Sequence, residues 1–125
     1  MARVVRHERF ETAWSCEILS GKTETIIASP RRPGWLEFLK IRKSYAGVYV
    51  HSFRHNNLEL IEQPEEYPAE LFGESMLVSR TPGLTHLFPR HVRVGDQITI
   101  GLVNDASWPA GIRCQWFWTE QWSEL

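Results

Sequence analysis

Between Phe10 and Ile18 the chain alternates, with Phe10, Thr12, Trp14, Cys16 and Ile18 on one side of an extended backbone and Glu11, Ser15 and Glu17 on the other. A period of two is the signature of a strand with one buried face. The pattern recurs in short runs cut by turn residues. "SGK" predicts a tight turn and "TETIIA" (23–28) a hairpin partner for the first strand. "SPRRPG" (29–34) reads as a loop, and "WLEFLKIRK" (35–43) as a strand, with a helix as the alternative by pattern alone.

Further along, "VYVHSFR" (48–54) and "LELIE" (58–62) flank the turn "HNN". In "QPEEYPAELFGE" one helical turn is expected, opened by Pro68 and closed by Gly73. "SMLVSR" (75–80) reads as a short strand. Val92 and Val94 precede a turn at Gly95–Asp96, Ile98, Ile100 and Leu102 alternate after it, and "IRCQWFWTEQW" (112–122) closes the chain as a strand. About nine short strands with almost no helical period make an antiparallel β-sandwich or barrel, all-β in class. Residues 1–9 are expected to be an N-terminal arm and 10–125 a single β-sandwich domain.

The closing strand places Ile112, Cys114, Trp116 and Trp118 on one face, matching the Trp14, Cys16 and Ile18 face of the opening strand. That match predicts a core holding Trp14, Trp116, Ile98 and Ile100. It also predicts that Cys16 and Cys114 lie close together as reduced, buried thiols. Phe117, amid Arg113, Gln115 and Thr119, suggests a contact beyond its own sheet.

Apolar residues make up 42% of the 125 and charged residues 23%, the balance of a soluble globular chain. No apolar run approaches the ~20 residues that span a bilayer, and the start lacks a secretory apolar stretch. A cytoplasmic origin and no membrane partner are expected. The net charge of −1 argues against a general nucleic-acid binder. Charge is nevertheless uneven: residues 1–58 hold ten Lys/Arg against five Asp/Glu, and residues 59–125 hold four against ten. The six glutamates from Glu59 to Glu74, with no basic residue among them, form either a solvated face or a docking surface for a basic partner, conceivably another copy's Arg-rich half.

Chemistry is hard to find. No phosphate-binding loop, nucleophile elbow, zinc-protease helix or paired C-x-x-C occurs. Asp96 and Asp105, the only aspartates, both sit in turns, where their side chains serve the backbone. His51 and His55 would be about 13 Å apart on a strand, too far to share a metal. His7, His86 and His91 are scattered. Arg3, Arg6 and Arg9 around His7 could form a basic arm, but Glu8 and Glu11 interrupt it and no stacking aromatics are interleaved. The expectation is no enzyme, no cofactor and no metal.

The opening strand with its turn ("ETAWSCEILSGKTETIIA"), the hairpin "VYVHSFRHNNLELIE", the "VRVGDQITIGLVND" strand and the aromatic closing strand together resemble the small jelly-roll-type β-sandwiches of virus particles. The likeness is strongest to phage head decoration or cement proteins and minor capsid proteins. It covers residues 10–122 and is one of layout, without a diagnostic motif, so no functional residue is carried over by position. It implies a jelly-roll sandwich and a non-enzymatic virion protein, made in the host cytoplasm. Such a protein is often a homo-oligomer and clamps neighbouring subunits of the major capsid protein. On that reading Tyr67, Phe72, Trp108 and Trp122 are the candidate aromatic anchors, with Arg3, Arg6 and Arg31 supplying charge. The alternative is a carbohydrate-binding β-sandwich module, favoured if Trp35, Tyr49, Trp108 and Trp122 share one open face.

Overall fold

The computed structural model describes the backbone of residues 4–30, 33–44, 47–61, 66–73 and 77–124; the side chains of 4–10, 77, 79 and 121–124 lie outside that description. The strands are β1 (Val4–Ile18), β2 (Thr23–Ala28), β3 (Gly34–Lys43), β4 (Val48–His55), β5 (Leu58–Glu59), β6 (Tyr67–Pro68), β7 (Arg90–Val92), β8 (Ile98–Asn104) and β9 (Ala110–Glu124). They form two antiparallel sheets packed face to face, a β-sandwich. One sheet runs β1-β9-β3-β7; the other runs β2-β8-β4-β5, with β6 also on β4.

The pairings are nested: β1 with β9, β2 with β8, β3 with β7, and β4 with β5 and β6. The chain is a long antiparallel hairpin folded over on itself, and the fold is sealed by β3 meeting β9 and β4 meeting β8. The first and last strands are 15 residues each, not short.

The core follows from the alternation. Leu36, Leu39 and Ile41 stand opposite Trp118, Trp116 and Cys114, and all six are buried. Across the sandwich Val50, Phe53, Ile98, Ile100 and Leu102 complete the apolar layer. Trp116 stacks on Trp118 at 6.4 Å, while Phe53, Phe72 and Phe88 form an aromatic cluster with centroid spacings of 5.6–6.5 Å.

Several expectations need correction. Trp14 keeps the predicted face but is 39% exposed. It stands on edge strand β1, part of a stretch from Glu11 to Ser15 that is exposed on both faces, and the strands of the facing sheet are only six to eight residues long where they are regular. β2 turns at "SGK" as predicted, yet it crosses to the other sheet and pairs with β8. The Gly21 and Asn104 amides donate to Asn104 O and Lys22 O, drawing the turn onto the end of β8. Residues 77–80 are a short 3-10 segment rather than a strand, held by local bonds such as Thr81 N to Val78 O. The expected turn between Pro68 and Gly73 is a 3-10 segment, Ala69–Phe72. Phe117 finds its contact within its own sheet, stacked on Phe38 at 6.1 Å, and Phe38 in turn meets Phe88.

Cys16 and Cys114 share a face as diagonal neighbours on β1 and β9, and both are free thiols. Burial, then Glu24, pushes the Cys16 thiol up to about 11; burial, then Cys16, pushes Cys114 up to about 12.

Candidate functional site

Three regions of the surface present chemistry. The first is the β1 edge. β1 pairs with β9 over its whole length without a register shift, and it ends the sheet on its other side. β3 reaches only as far as Gly34 opposite Glu120, so among the described residues Val4–His7 and Gln121–Glu124 continue past it as a two-stranded ribbon. Gly34 is needed at that boundary, because a Cβ there would lie 2.1 Å from the Thr119 carbonyl oxygen.

The second region is the end of the sandwich that carries Trp108, which is 53% exposed on the β8–β9 loop. The fully buried Asn104 holds this loop. Its amide Nδ2 donates to Ile18 O and Trp108 O, each at 2.9 Å, and its Oδ1 accepts from Ala106 N at 2.9 Å. Ser20 Oγ donates to Ala106 O at 2.6 Å, and Asp105 N donates to Gly47 O at 2.9 Å. The exposed Leu19 and Trp108 are thereby fixed on loops tied to one buried amide.

At the opposite end, β4 finishes in His55, and Asn56 turns the chain with φ 55°. The β7–β8 turn closes there through Asp96 N donating to Arg93 O, with Gly95 at φ 92°. Asp96 stitches the two turns together: its carboxylate accepts from Arg93 N, Asn56 Nδ2 and His55 Nε2 at 3.0, 3.0 and 2.7 Å. Those donors, the Arg93 amide first, hold the Asp96 carboxyl well below the usual carboxylate range. Arg90 Nε donates to His55 Nδ1 at 2.8 Å. Since a guanidinium only donates, Nδ1 must be the accepting nitrogen and Nε2 the one that carries the proton toward Asp96. These residues, with Leu58 and His91, line an open cleft of about 370 Å³. The His91 ring meets the half-exposed Trp35 edge-on at 5.1 Å.

The sequence-derived anchors fare unequally. Phe72 is a correction: it is fully buried, stacked on Phe53, and belongs to the core rather than to a surface. Tyr67 is half-buried, paired with Val50 and packed against the core. Trp108 stands in the open. Arg6 and Trp122 are brought opposite each other in the β1/β9 ribbon, although their side chains, like Arg3 and Arg31 entirely, lie outside the described residues. Residues 4–9, read from the sequence as an arm, are the first part of β1.

Two of the glutamates in the acidic run bind this chain's own basic half, Glu59 with Arg54 at 2.9 Å and Glu70 with Lys43 at 2.8 Å. Trp35 lies on the first sheet, Tyr49 on the second and Trp108 on an end loop, so these rings share no face. His51 and His55 line separate clefts. Among the described residues no three His, Cys, Asp or Glu side chains are grouped to hold a metal ion. The chain matches no protein-family model, no curated protein and no solved structure.

Proposed function

We propose that this protein is a non-enzymatic structural subunit that binds other protein subunits, as a decoration, cement or minor capsid protein does on a virus head. The observation that carries this reading is the β1 edge. A 15-residue edge strand without proline, glycine or register shift is a template for pairing with another chain. A ribbon of only two strands at its end is marginal in water unless something packs on it.

The charges on β1 discourage indiscriminate pairing but suit one arrangement. Turned antiparallel about Phe10 on a second copy, β1 places Arg9 opposite Glu11, Glu8 opposite Thr12 and Arg6 opposite Trp14. Each pair matches even with even or odd with odd positions, so both strands keep the same face up, as a two-fold axis requires. Homo-oligomerisation through β1 and attachment to a major capsid protein through the Trp108 end are the two contacts of this reading.

Strand order supports it further. With β5 and β6 counted as one interrupted strand, the sheets read 1-8-3-6 and 2-7-4-5, the succession of a jelly roll, an architecture used by viral capsid proteins, lectins and cupins. Fold alone does not choose among these. The dispersed aromatic rings favour assembly over sugar binding.

A charge-swap series tests the β1 contact. Arg9 and Glu11 stand opposite Thr119 and Phe117 within the chain, so reversing either creates no like-charge pair directly across the strands. Arg9→Glu and Glu11→Arg should each shift the protein toward monomer in light scattering, and the double variant should restore the oligomer. Sedimentation with large particles from the native source tests the second contact. A monomeric wild type that stays in the supernatant overturns the reading.

A further inference from the structure

The His55 end of the sandwich holds a cation that the assembly reading does not use. Arg90 opens edge strand β7 opposite Leu36 and is half-buried there. Burial lowers the affinity of its guanidinium for the proton, though an arginine stays charged at any physiological pH. A charge withdrawn from water in this way is ordinarily set against a carboxylate. Among the described residues the one carboxylate lining the cleft, Asp96, is engaged by His55, Asn56 and the Arg93 amide. Arg90 gives only its Nε, to a neutral acceptor, His55 Nδ1, and its two terminal amino groups meet no acceptor among the described residues. Arg93, exposed on the same cleft, likewise makes no side-chain ion pair among them.

We propose that this cleft binds a small oxyanion, a carboxylate or a phosphate group, through the two terminal nitrogens of Arg90 with Arg93 as a second positive charge. The geometry suits that ligand. Asp96 fixes the His55 ring, the ring pins Nε, and the guanidinium plane is set before any ligand arrives, so little rotamer entropy is lost on binding. Paired N–H groups on one rigid plane match the spacing of two oxygens on a carboxylate or phosphate. Leu58 supplies an apolar wall, and about 370 Å³ accommodates such a group with a short carbon skeleton.

The test is an NMR titration of the intact protein, following backbone amides and the arginine Nε–H signals. Sodium phosphate and sodium succinate are the probes, and sodium chloride at equal ionic strength is the control. The expected result is a saturable shift at Arg90 Nε–H and at the Arg93 and Gln97 amides with at least one probe, at millimolar concentration or below. Saturation by phosphate alone assigns a phosphate ligand, saturation by succinate alone a carboxylate, and saturation by both the shared oxyanion chemistry. Arg90→Lys keeps the charge but loses the paired donors, and should weaken binding about ten-fold or more. Arg93→Gln, on an exposed side chain, should fold normally and bind several-fold more weakly, which keeps the test decisive if Arg90→Lys does not fold. The proposal is overturned if neither anion gives a saturable shift beyond the chloride control, or if the folded variants bind as tightly as the wild type.

Discussion

Asn104→Ala should be among the most damaging polar substitutions in this chain. The Asn104 side chain is fully buried and makes three hydrogen bonds at 2.9 Å, to Ile18 O, Trp108 O and Ala106 N. Each bond contributes roughly 0.5–1.5 kcal/mol net, and its loss leaves a backbone group poorly solvated, so the sum is about 2–4 kcal/mol. For a domain of this size about 4 °C accompanies each kcal/mol, giving a Tm lower by about 8–16 °C.

Asn104→Asp separates hydrogen bonding from packing, because it keeps the shape and replaces the donating amide by an acceptor. An ionised carboxylate would face two carbonyl oxygens, and its burial without a cation costs more than deleting the side chain. The protonated acid can donate once, so the folded state favours the proton and the new group's pKa rises above its unfolded value of about 4. A raised folded pKa means stability is complete below about pH 4 and lost as pH rises. This variant's deficit should therefore be smaller in mildly acidic buffer than at neutral pH, without vanishing, since one of the two donated bonds is missing at any pH. Urea unfolding followed by tryptophan fluorescence at pH 5 and pH 7 reads both effects. If Asn104→Asp is no worse than Asn104→Ala at pH 7, or if its deficit does not shrink at pH 5, the amide is not the hub described.

Trp116→Ala should cost about 3–5 kcal/mol, since it opens a cavity beneath Trp118 in a close-packed core, and thermal unfolding against wild type measures it. Cys114, which is buried, should resist native alkylation, and Cys16, expected buried but only half-buried, should react slowly, both labelling at once in denaturant; rapid native labelling of Cys114, seen by mass spectrometry, would contradict its burial. Asp96 has a depressed folded pKa, so its stabilisation is complete above the unfolded value of about 4 and is lost as pH falls below it. Asp96→Asn should therefore lose about 1–2 kcal/mol at pH 7 and show a flatter acid dependence in urea midpoints between pH 5 and pH 3; parallel curves for the two proteins would count against the Asp96 bonds.

The strands were legible because alternation is a local property. Ile98, Ile100 and Leu102 point one way whatever the rest of the chain does, and Trp116 follows from its neighbours Cys114 and Trp118. Partnership between strands is not local. Nothing in "TETIIA" states that it pairs with β8 rather than β1; that choice is made by Asn104, more than 80 residues away, catching the turn at Gly21 and Lys22. Exposure on an edge strand is equally invisible. Trp14 has the alternation of a core residue, and its place on an edge strand that outruns the shorter strands of the facing sheet leaves the ring 39% exposed. Phe72 shows the converse: it sits in a proline- and glutamate-rich stretch that reads as surface, while the 3-10 segment turns its ring onto Phe53.

Asp96 shows why the cleft is not legible in the sequence even though the turn that carries it is. An aspartate beside a glycine is a turn residue, and Asp96 does accept from the Arg93 amide three residues back. The same oxygen, Oδ2, also accepts from His55, 41 positions away, and this second bond turns a local cap into a support for Arg90. A signal was present in the charges alone. "RHVRVGD" brings Arg90, His91 and Arg93 to one strand end and turn with a single acidic residue, in a half of the chain where acids outnumber bases ten to four. A local surplus of cations against the prevailing charge, next to a turn whose carboxylate serves the backbone, leaves the terminal nitrogens of Arg90 without an acceptor among the described residues. That arrangement, rather than any motif, is the sequence cue behind the proposed oxyanion site at the end of β7.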